Sequence, residues 1–349
     1  MAVCGGIKVQ CTQNVNNNKI HCAILGLGNQ AFEHLQASIN LRDIAIVAGV
    51  DRDKVRWEKA IQAFPDLRLQ CFADLVDLQA SGLQIDAFIL ALPHHVYEGI
   101  WPSLMQWGKP LLKEKPLGRD YQEAKDFMQQ SRTAECGLQT AIQRRQHPSY
   151  KFLANYLKQH KLTPTEIHAH LHLGKGQENP DAAFDLGWRG DRRQAGGGAL
   201  LDAGYHLIDL VQFLIGDFDV ISATMWDGSK ADNGQDIEDR SWLTGCSSET
   251  WLMVDTWVKG ESNNNGGYLK SEKVSLKTSQ GVLSANREGV WLGEQKLFSS
   301  DREWQHAMQQ QLADFARCIA TNNWQNDVIW DQLPAMRKIE EAYRLSSRY

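Results

Sequence analysis

The chain has 349 residues, 42% apolar and 23% charged, with a net charge of −5. That length exceeds the reach of one hydrophobic core and favours two domains, and the slight acidity argues against nucleic acid as a partner. Apolar runs such as 44–50 and 88–93 fall far short of the roughly 20 residues of a membrane span, and seven scattered cysteines without a Cys-x-x-Cys pair point to a reducing cytoplasm.

Residues 1–19 lack the charged start and continuous apolar stretch of a signal peptide, and the run Asn14–Asn18 predicts a flexible tail. From residue 20 onward, apolar strands alternate with helical periodicity. Ile20–Leu25 predicts a strand, Phe32, Leu35 and Ile39 recur at helical spacing, and Ile44–Val50 predicts a second strand. A charged helix over 53–63 stops at Pro65. Ala87–Leu92, 110–113 and 137–143 predict further strands, with helices over 96–107 and 121–131 between them. Such alternation implies a doubly wound parallel sheet whose ligand sits at the carboxyl ends of its strands. After Pro148 a helix over 150–160 gives way to period-2 segments at 165–173, 241–244, 250–258 and 273–277, which predict an open antiparallel sheet. A late apolar stripe of Trp304, Met308, Leu312, Phe315 and Ile319 predicts a helix.

The run Gly26-Leu27-Gly28-Asn29-Gln30-Ala31 fits a G-x-G-x-x-A dinucleotide turn, placed after a strand and before a helix. Gly26 suits the tight turn, Gly28 the close approach of a pyrophosphate, and the helix start with Asn29 and Gln30 supplies free N–H groups. Asp51, ending the second strand, suits the ribose hydroxyls of NAD. Arg52 beside it keeps NADP possible, because a guanidinium can pair with a 2′-phosphate.

In GGGALLDAGYHLID, residues 196–209, Asp202 and His206 stand one helical turn apart on one face. Lys115, from the run Lys113–Gly118, closes a strand that could meet that pair. A lysine, an imidazole and a carboxylate beside a nicotinamide site suit hydride transfer at an alcohol carbon: a base takes the hydroxyl proton and a cation stabilises the oxygen.

These pieces, together with Pro93-His94-His95, EKPLG at 114–118 and QRR at 143–145, resemble the glucose-fructose oxidoreductase, inositol dehydrogenase and MocA family. The resemblance implies a Rossmann domain over 20–146 and a substrate-binding and oligomerisation domain over 147–349, built on a large open, mainly antiparallel sheet. It implies that Pro93, His95, Glu114 and Lys115 border the cofactor and that Lys115 contacts the reacting oxygen. It also implies that His206 is the acid/base, that the Lys115–Pro116 peptide is a candidate for the cis form, and that the open sheet joins subunits into a homodimer or homotetramer. The implied activity is an NAD(P)-dependent oxidoreductase of a sugar, sugar derivative or cyclitol. A glycoside hydrolase using bound NAD and a silent cofactor sensor are the rivals. Lys113 departs from the apolar residue or cysteine usual there, which puts strand packing in question.

Several residues keep two readings. Arg144 and Arg145 either hold a substrate hydroxyl, carboxylate or phosphate, or pair with carboxylates at the domain interface. Trp188 and Arg189 suit the face and hydroxyls of a sugar ring, or else packing under a loop. Tyr205 lines the pocket or packs in the helix interface. His168, His170 and His172 share one strand face; without a fourth ligand in view this reads as a polar sheet face rather than a metal site.

Overall fold

The computed structural model describes residues 19–174, 187–227, 237–260, 270–300, 304–324 and 332–349; the predicted tail, apart from Lys19, lies outside them. The first sheet is built from β1 (Ile20–Leu25), β2 (Ile44–Val50), β3 (Gln70–Phe72), β4 (Ala87–Leu90), β5 (Leu111–Glu114) and β6 (Leu138–Ala141). Between them run α1 (Asn29–Ser38), α2 (Lys54–Ala63), α3 (Leu75–Ala80), α4 (Val96–Trp107) and α5 (Tyr121–Thr133). The order is β3-β2-β1-β4-β5-β6 and every pairing is parallel, the doubly wound topology.

Apolar side chains fill both faces of this sheet. Ile24, Ile46 and Ile89 pack on one side, and Ala23, Leu90 and Leu111 on the other. This is why the strands read as continuous apolar runs rather than alternating ones. The reversal of strand order lies between β1 and β4, which opens a crevice at their carboxyl ends. β3 and α3 escape the periodicity reading because three and six residues are too short to establish a period.

The second sheet follows α6 (Pro148–Gln159) and holds β7 (Glu166–Gly174), β8 (Asp219–Asp227), β9 (Glu238–Ser247), β10 (Thr250–Gly260), β11 (Lys270–Thr278), β12 (Gly281–Asn286), β13 (Gly289–Leu292), β14 (Gln295–Ser299) and β15 (Ser346–Arg348). Its order is β14-β13-β12-β11-β7-β10-β9-β8-β15, antiparallel except for β7 with β10 and β8 with β15. Helices α7 (Arg192–Ala195), α8 (Tyr205–Ile215), α9 (Trp304–Thr321) and α10 (Leu333–Leu345) complete the chain. Ile167, Ala169, Leu171, Leu243 and Val254 turn towards the helices. The alternate residues, among them the three histidines of β7, face the other way. That opposite face carries Trp242 and Trp251, 39% and 64% exposed. Arg240 lies there at 5.1, 4.8 and 5.5 Å from the ring centres of Trp226, Trp242 and Trp257.

Two features depart from a simple reading of the chain. Helix α9 returns to the first sheet, where Met308, Leu312, Phe315 and Ala316 join the core around Ile24 and Leu35. The segment carrying Asp202 is not an α-helix from the start: Leu200–Gly204 forms a π-helical turn and α8 begins at Tyr205. The buried Glu238 accounts for the wider entry, because its Oε1 accepts the N–H groups of Gly198 and Leu200 at 2.9 and 3.1 Å. A Cβ at Gly198 would lie 1.9 Å from the Glu238 carbonyl oxygen, so that position must be glycine.

The stretch Arg192–Ile215 has the length and apolarity of a membrane span, yet 67% of its apolar window is buried within the protein. Asp209 inside it is fully buried and ion-paired with Arg145 at 2.6 Å, as befits a core helix.

Candidate active site

The turn after β1 has the form a dinucleotide needs. Gly26 has φ of 87°, and a Cβ there would lie 2.5 Å from the Ala91 carbonyl oxygen at the end of β4. Helices α2, α3 and α5 are capped by Asp53, Asp74 and Asp120. Helix α1 instead starts at Gly28 with no side-chain cap and no acidic residue in its first turn. A helix start left in that state favours an anion, so the residues present fit a pyrophosphate.

Asp51 stands beside the turn, its carboxylate accepting the N–H groups of Leu27 and Asp53 at 2.8 and 2.9 Å. The cation it meets is Arg56, at 3.3 Å, rather than the exposed Arg52. Arg56 also lies nearest to Gly28, 3.9 Å from where a Cβ would sit. Sequence reading missed Arg56 because its approach depends on the phase of α2.

Lys115 leaves the carboxyl end of β5 through a cis Lys115–Pro116 peptide. Its Nζ donates to Asp202 Oδ1 at 2.5 Å and to the Asp202 carbonyl oxygen at 3.0 Å. Burial presses the Asp202 carboxyl upwards, but the Lys115 ammonium and the Arg189 guanidinium outweigh it and hold the group below the usual carboxylate range. Behind Lys115, the buried Glu114 meets His34 Nε2 at 2.8 Å, accepts Gln143 Nε2 at 3.2 Å and accepts the Lys115 N–H at 3.2 Å. Lys115, Asp202 and His206 line one cavity of about 320 Å³, together with Gln30 from α1, Glu114, Gln143 and Arg144. The π-helical turn leaves Asp202 and His206 facing that same space. Pairing with Lys115 is the part of the geometry that spacing along the chain could not reveal.

Pro93 turns the chain after β4, its carbonyl accepting the Val96 N–H at 3.0 Å. His95 precedes α4 with its ring 6.3 Å from that of Trp188. The residue of this segment that approaches the ion pair is His94. Burial, then the Lys113 charge, pushes its pKa down to about 3, so the ring is neutral at physiological pH. Its Nδ1 lies 2.8 Å from the Ala195 carbonyl oxygen and must donate, since a carbonyl cannot; Nε2 is therefore an acceptor. His94, Arg189 and Asp202 line a second, smaller pocket of about 30 Å³. Trp188 packs edge-on against His94 at 4.6 Å, with Arg189 4.4 Å over its ring. Arg189 thus shares the smaller pocket with Asp202, and Trp188 packs beside it against His94.

Lys113 does not disturb β5. Its buried Nζ donates to the Pro116 and Glu114 carbonyls at 2.6 and 3.3 Å and sits 4.0 Å from the Tyr97 ring centre. Burial brings its pKa down to about 7.

The two neighbouring arginines separate. Arg145 turns away from both cavities to clamp Asp209, which also accepts Gln332 at 2.9 Å. Arg144 lines the larger cavity but makes a two-point pair with Glu272 of β11, at 2.8 and 3.0 Å. Both therefore tie the chain after β6 to the second sheet and its helices. Tyr205 is wholly buried in the second core. Arg287 and Trp304, which bring charge and an indole to the cavity wall, were not read as site residues. Arg287 sits in a hairpin tip, and Trp304 opens a helix whose stripe reads as core. In the histidine row, His170 meets Ser271 at 2.8 Å and His172 meets Asp255 at 2.9 Å.

Comparisons with known proteins agree with this architecture. Residues 20–142 match the model of the oxidoreductase family with an NAD-binding Rossmann fold, and residues 163–244 match the GFO/IDH/MocA C-terminal domain. The chain is 26% identical over 136 residues to levoglucosan dehydrogenase of Pseudarthrobacter phenanthrenivorans, covering 39% of this chain and 34% of that protein. It is 25% identical over 155 residues to inositol 2-dehydrogenase of an Arthrobacter species, covering 44% and 45%. These alignments span less than half of either relative. A 3-ketoreductase from Actinomadura kijaniata, solved with NADP and TDP-benzene, superposes with a TM-score of 0.77 at 16% identity, over 95% of this chain and 99% of that one. Matched over both its Rossmann segment and the first part of its C-terminal domain, more than half of its length, this chain belongs to the GFO/IDH/MocA oxidoreductase family.

Proposed function

We propose that the protein is an NAD(P)-dependent dehydrogenase or reductase that interconverts a secondary alcohol and a ketone on a sugar, sugar derivative or cyclitol. The observation that carries this reading is the single cavity in which Gln30 and Glu114, from the cofactor side, meet Lys115, Asp202 and His206. A bound nicotinamide supplies a hydride donor or acceptor at its C4 carbon. Lys115 hydrogen-bonds the reacting oxygen and stabilises alkoxide charge as the hydroxyl proton leaves. His206 takes that proton in oxidation and returns it in reduction. Asp202 pairs with Lys115 and keeps it aimed. The names of the relatives, levoglucosan and inositol dehydrogenases, support a polyhydroxylated ring as substrate.

The test is an assay of purified protein with NAD and NADP against hexoses, amino sugars, nucleotide-linked sugars, anhydrosugars and cyclitols, followed by nicotinamide absorbance. Turnover of at least one ring is expected. Cofactor binding with no turnover on any of them would sink the enzyme assignment in favour of a sensor, and glycoside cleavage without net NADH would redirect it to a hydrolase.

In this reading Asp51 accepts the ribose hydroxyls, and its neighbour Arg56, or Arg52, meets a 2′-phosphate. Asp51→Ala is expected to weaken NAD more than NADP in fluorescence titrations; an unchanged ratio removes Asp51 from that role. The indole-rich outer face of the second sheet suits a homodimer or homotetramer, since exposed apolar faces of this kind mark protein interfaces. Trp251→Glu, which buries a charge in such an interface, should shift light-scattering mass towards the monomer. A mass unchanged from the wild type, or a monomeric wild type, rejects that interface. Cys22, Cys71, Cys136 and Cys246 form no disulfide among the described residues, which supports a reducing cytoplasmic location; recovery in an extracytoplasmic fraction would contradict it.

A further inference from the structure

One corner of the larger cavity carries chemistry that hydride transfer does not use. Glu272, on β11, is nearly inaccessible and serves two guanidinium groups at once. Arg144 grips it at two points, and Arg287, at the tip of the β12–β13 hairpin, donates Nε to its other oxygen at 3.2 Å. The Tyr150 hydroxyl donates to the same carboxylate at 2.7 Å. Positive charge therefore exceeds negative in this triad. The neighbouring His147 registers the surplus. Burial and then the Arg287 charge push His147 down to about 4. Burial lowers Arg287, Glu272 opposes the shift, and Arg144 adds to it by less.

Arg287 is the member of the triad with donors to spare. Its plane rests on the Trp304 indole, 3.6 Å from the ring centre, and Nε is held by Glu272, so the group is fixed in orientation. Its two terminal nitrogens make no hydrogen bond among the described residues, and the side chain, 29% exposed, lines the cavity that holds Lys115 and His206. A guanidinium with its Nη edge open is shaped for two-point contact with a planar carboxylate. The acids that line the cavity are already engaged: Glu114 by His34 and Gln143, Glu33 by Gln305, and Asp202 by Lys115. A carboxylate on the substrate would thus find in Arg287 a lining cation with donors to spare, while Lys115 is taken up by Asp202.

We infer that the substrate carries a carboxylate, as in a uronic acid or another sugar acid, and that Arg287 is the residue that binds it, with Trp304 and Glu272 as its positioning groups. This rests on the oxidoreductase reading for the reacting end of the ring, but the carboxylate subsite is measurable by binding alone.

Calorimetric titrations of the NADH-loaded protein with D-glucuronate against D-glucose, and D-galacturonate against D-galactose, provide the test. At least one acid is expected to bind about tenfold or more tightly than its neutral partner, the scale of a charge-assisted hydrogen-bond pair. Arg287→Gln should erase that preference while Arg287→Lys keeps part of it, with unfolding midpoints confirming that both variants fold. Equal binding of acid and neutral sugar, binding of neither, or a preference that survives Arg287→Gln overturns the inference. If the acids bind through Arg287 yet no ring is oxidised or reduced, the oxidoreductase reading fails and the carboxylate site stands.

Discussion

Replacing His206 with alanine is expected to lower turnover by about 10²- to 10⁴-fold, the usual worth of a positioned acid/base, while affinity for the dinucleotide is retained. The expectation follows from where the side chain stands. His206 borders the cavity beside Lys115 and Asp202, whereas the glycine turn and the uncapped start of α1 belong to the other domain. Removing the imidazole leaves that cradle untouched. Steady-state kinetics and NADH fluorescence titration separate the two quantities. A variant that loses cofactor affinity in proportion to turnover would show that His206 supports the binding site rather than the proton transfer.

Lys115→Met is expected to cost turnover on a comparable scale, roughly 10²- to 10³-fold, because it removes the cation at the reacting oxygen. It has a second consequence that a purely chemical role would not produce. The Asp202 carboxyl is held below its ordinary range by Lys115, so the ion pair adds stability above the unfolded carboxyl pKa of about 4. That contribution fades as pH falls through the folded value. The difference in unfolding midpoint between wild type and Lys115→Met should therefore be open at neutral pH and narrow in acid. A difference that stays constant over the acid range would mean that the pair contributes nothing in solution. The Asp202 side chain is 38% exposed, so solvent screening keeps the effect small.

Much of the first domain is legible in the chain because a parallel sheet buried on both faces writes continuous apolar runs. Ile44–Val50 and the fully buried Ala87–Leu90 are recognisable for that reason. The three-residue β3 is not, and neither is the mostly exposed β14, where few side chains face a core. The triple glycine was visible as a motif, but its cause lay elsewhere: Glu238, some 40 residues on, packs against Gly198 and reshapes the entry to α8. Trp304 shows the same limit. Its spacing with Met308 and Leu312 correctly marked a helix, yet it is the folded cavity wall, where Arg287, Arg144 and His147 meet its ring, that makes it part of the site.

What the sequence determined by itself is what neighbouring residues can encode: the glycine turn between strand and helix, the capped helix starts, the alternation of β and α, and the residue types able to move a hydride and a proton. The tertiary structure decided the rest. It chose Lys115 as the partner of Asp202, sent Arg145 to Asp209, gave Arg144 and Arg287 a common carboxylate, and brought α9 back onto the first sheet. The physical reason is that charged and polar groups take their roles from whatever faces them across a buried space. For Lys115, Arg144 and Arg145 those facing groups lie 64 to 128 positions away along the chain, and for Arg287 15 positions away across a hairpin, beyond the reach of local helical spacing.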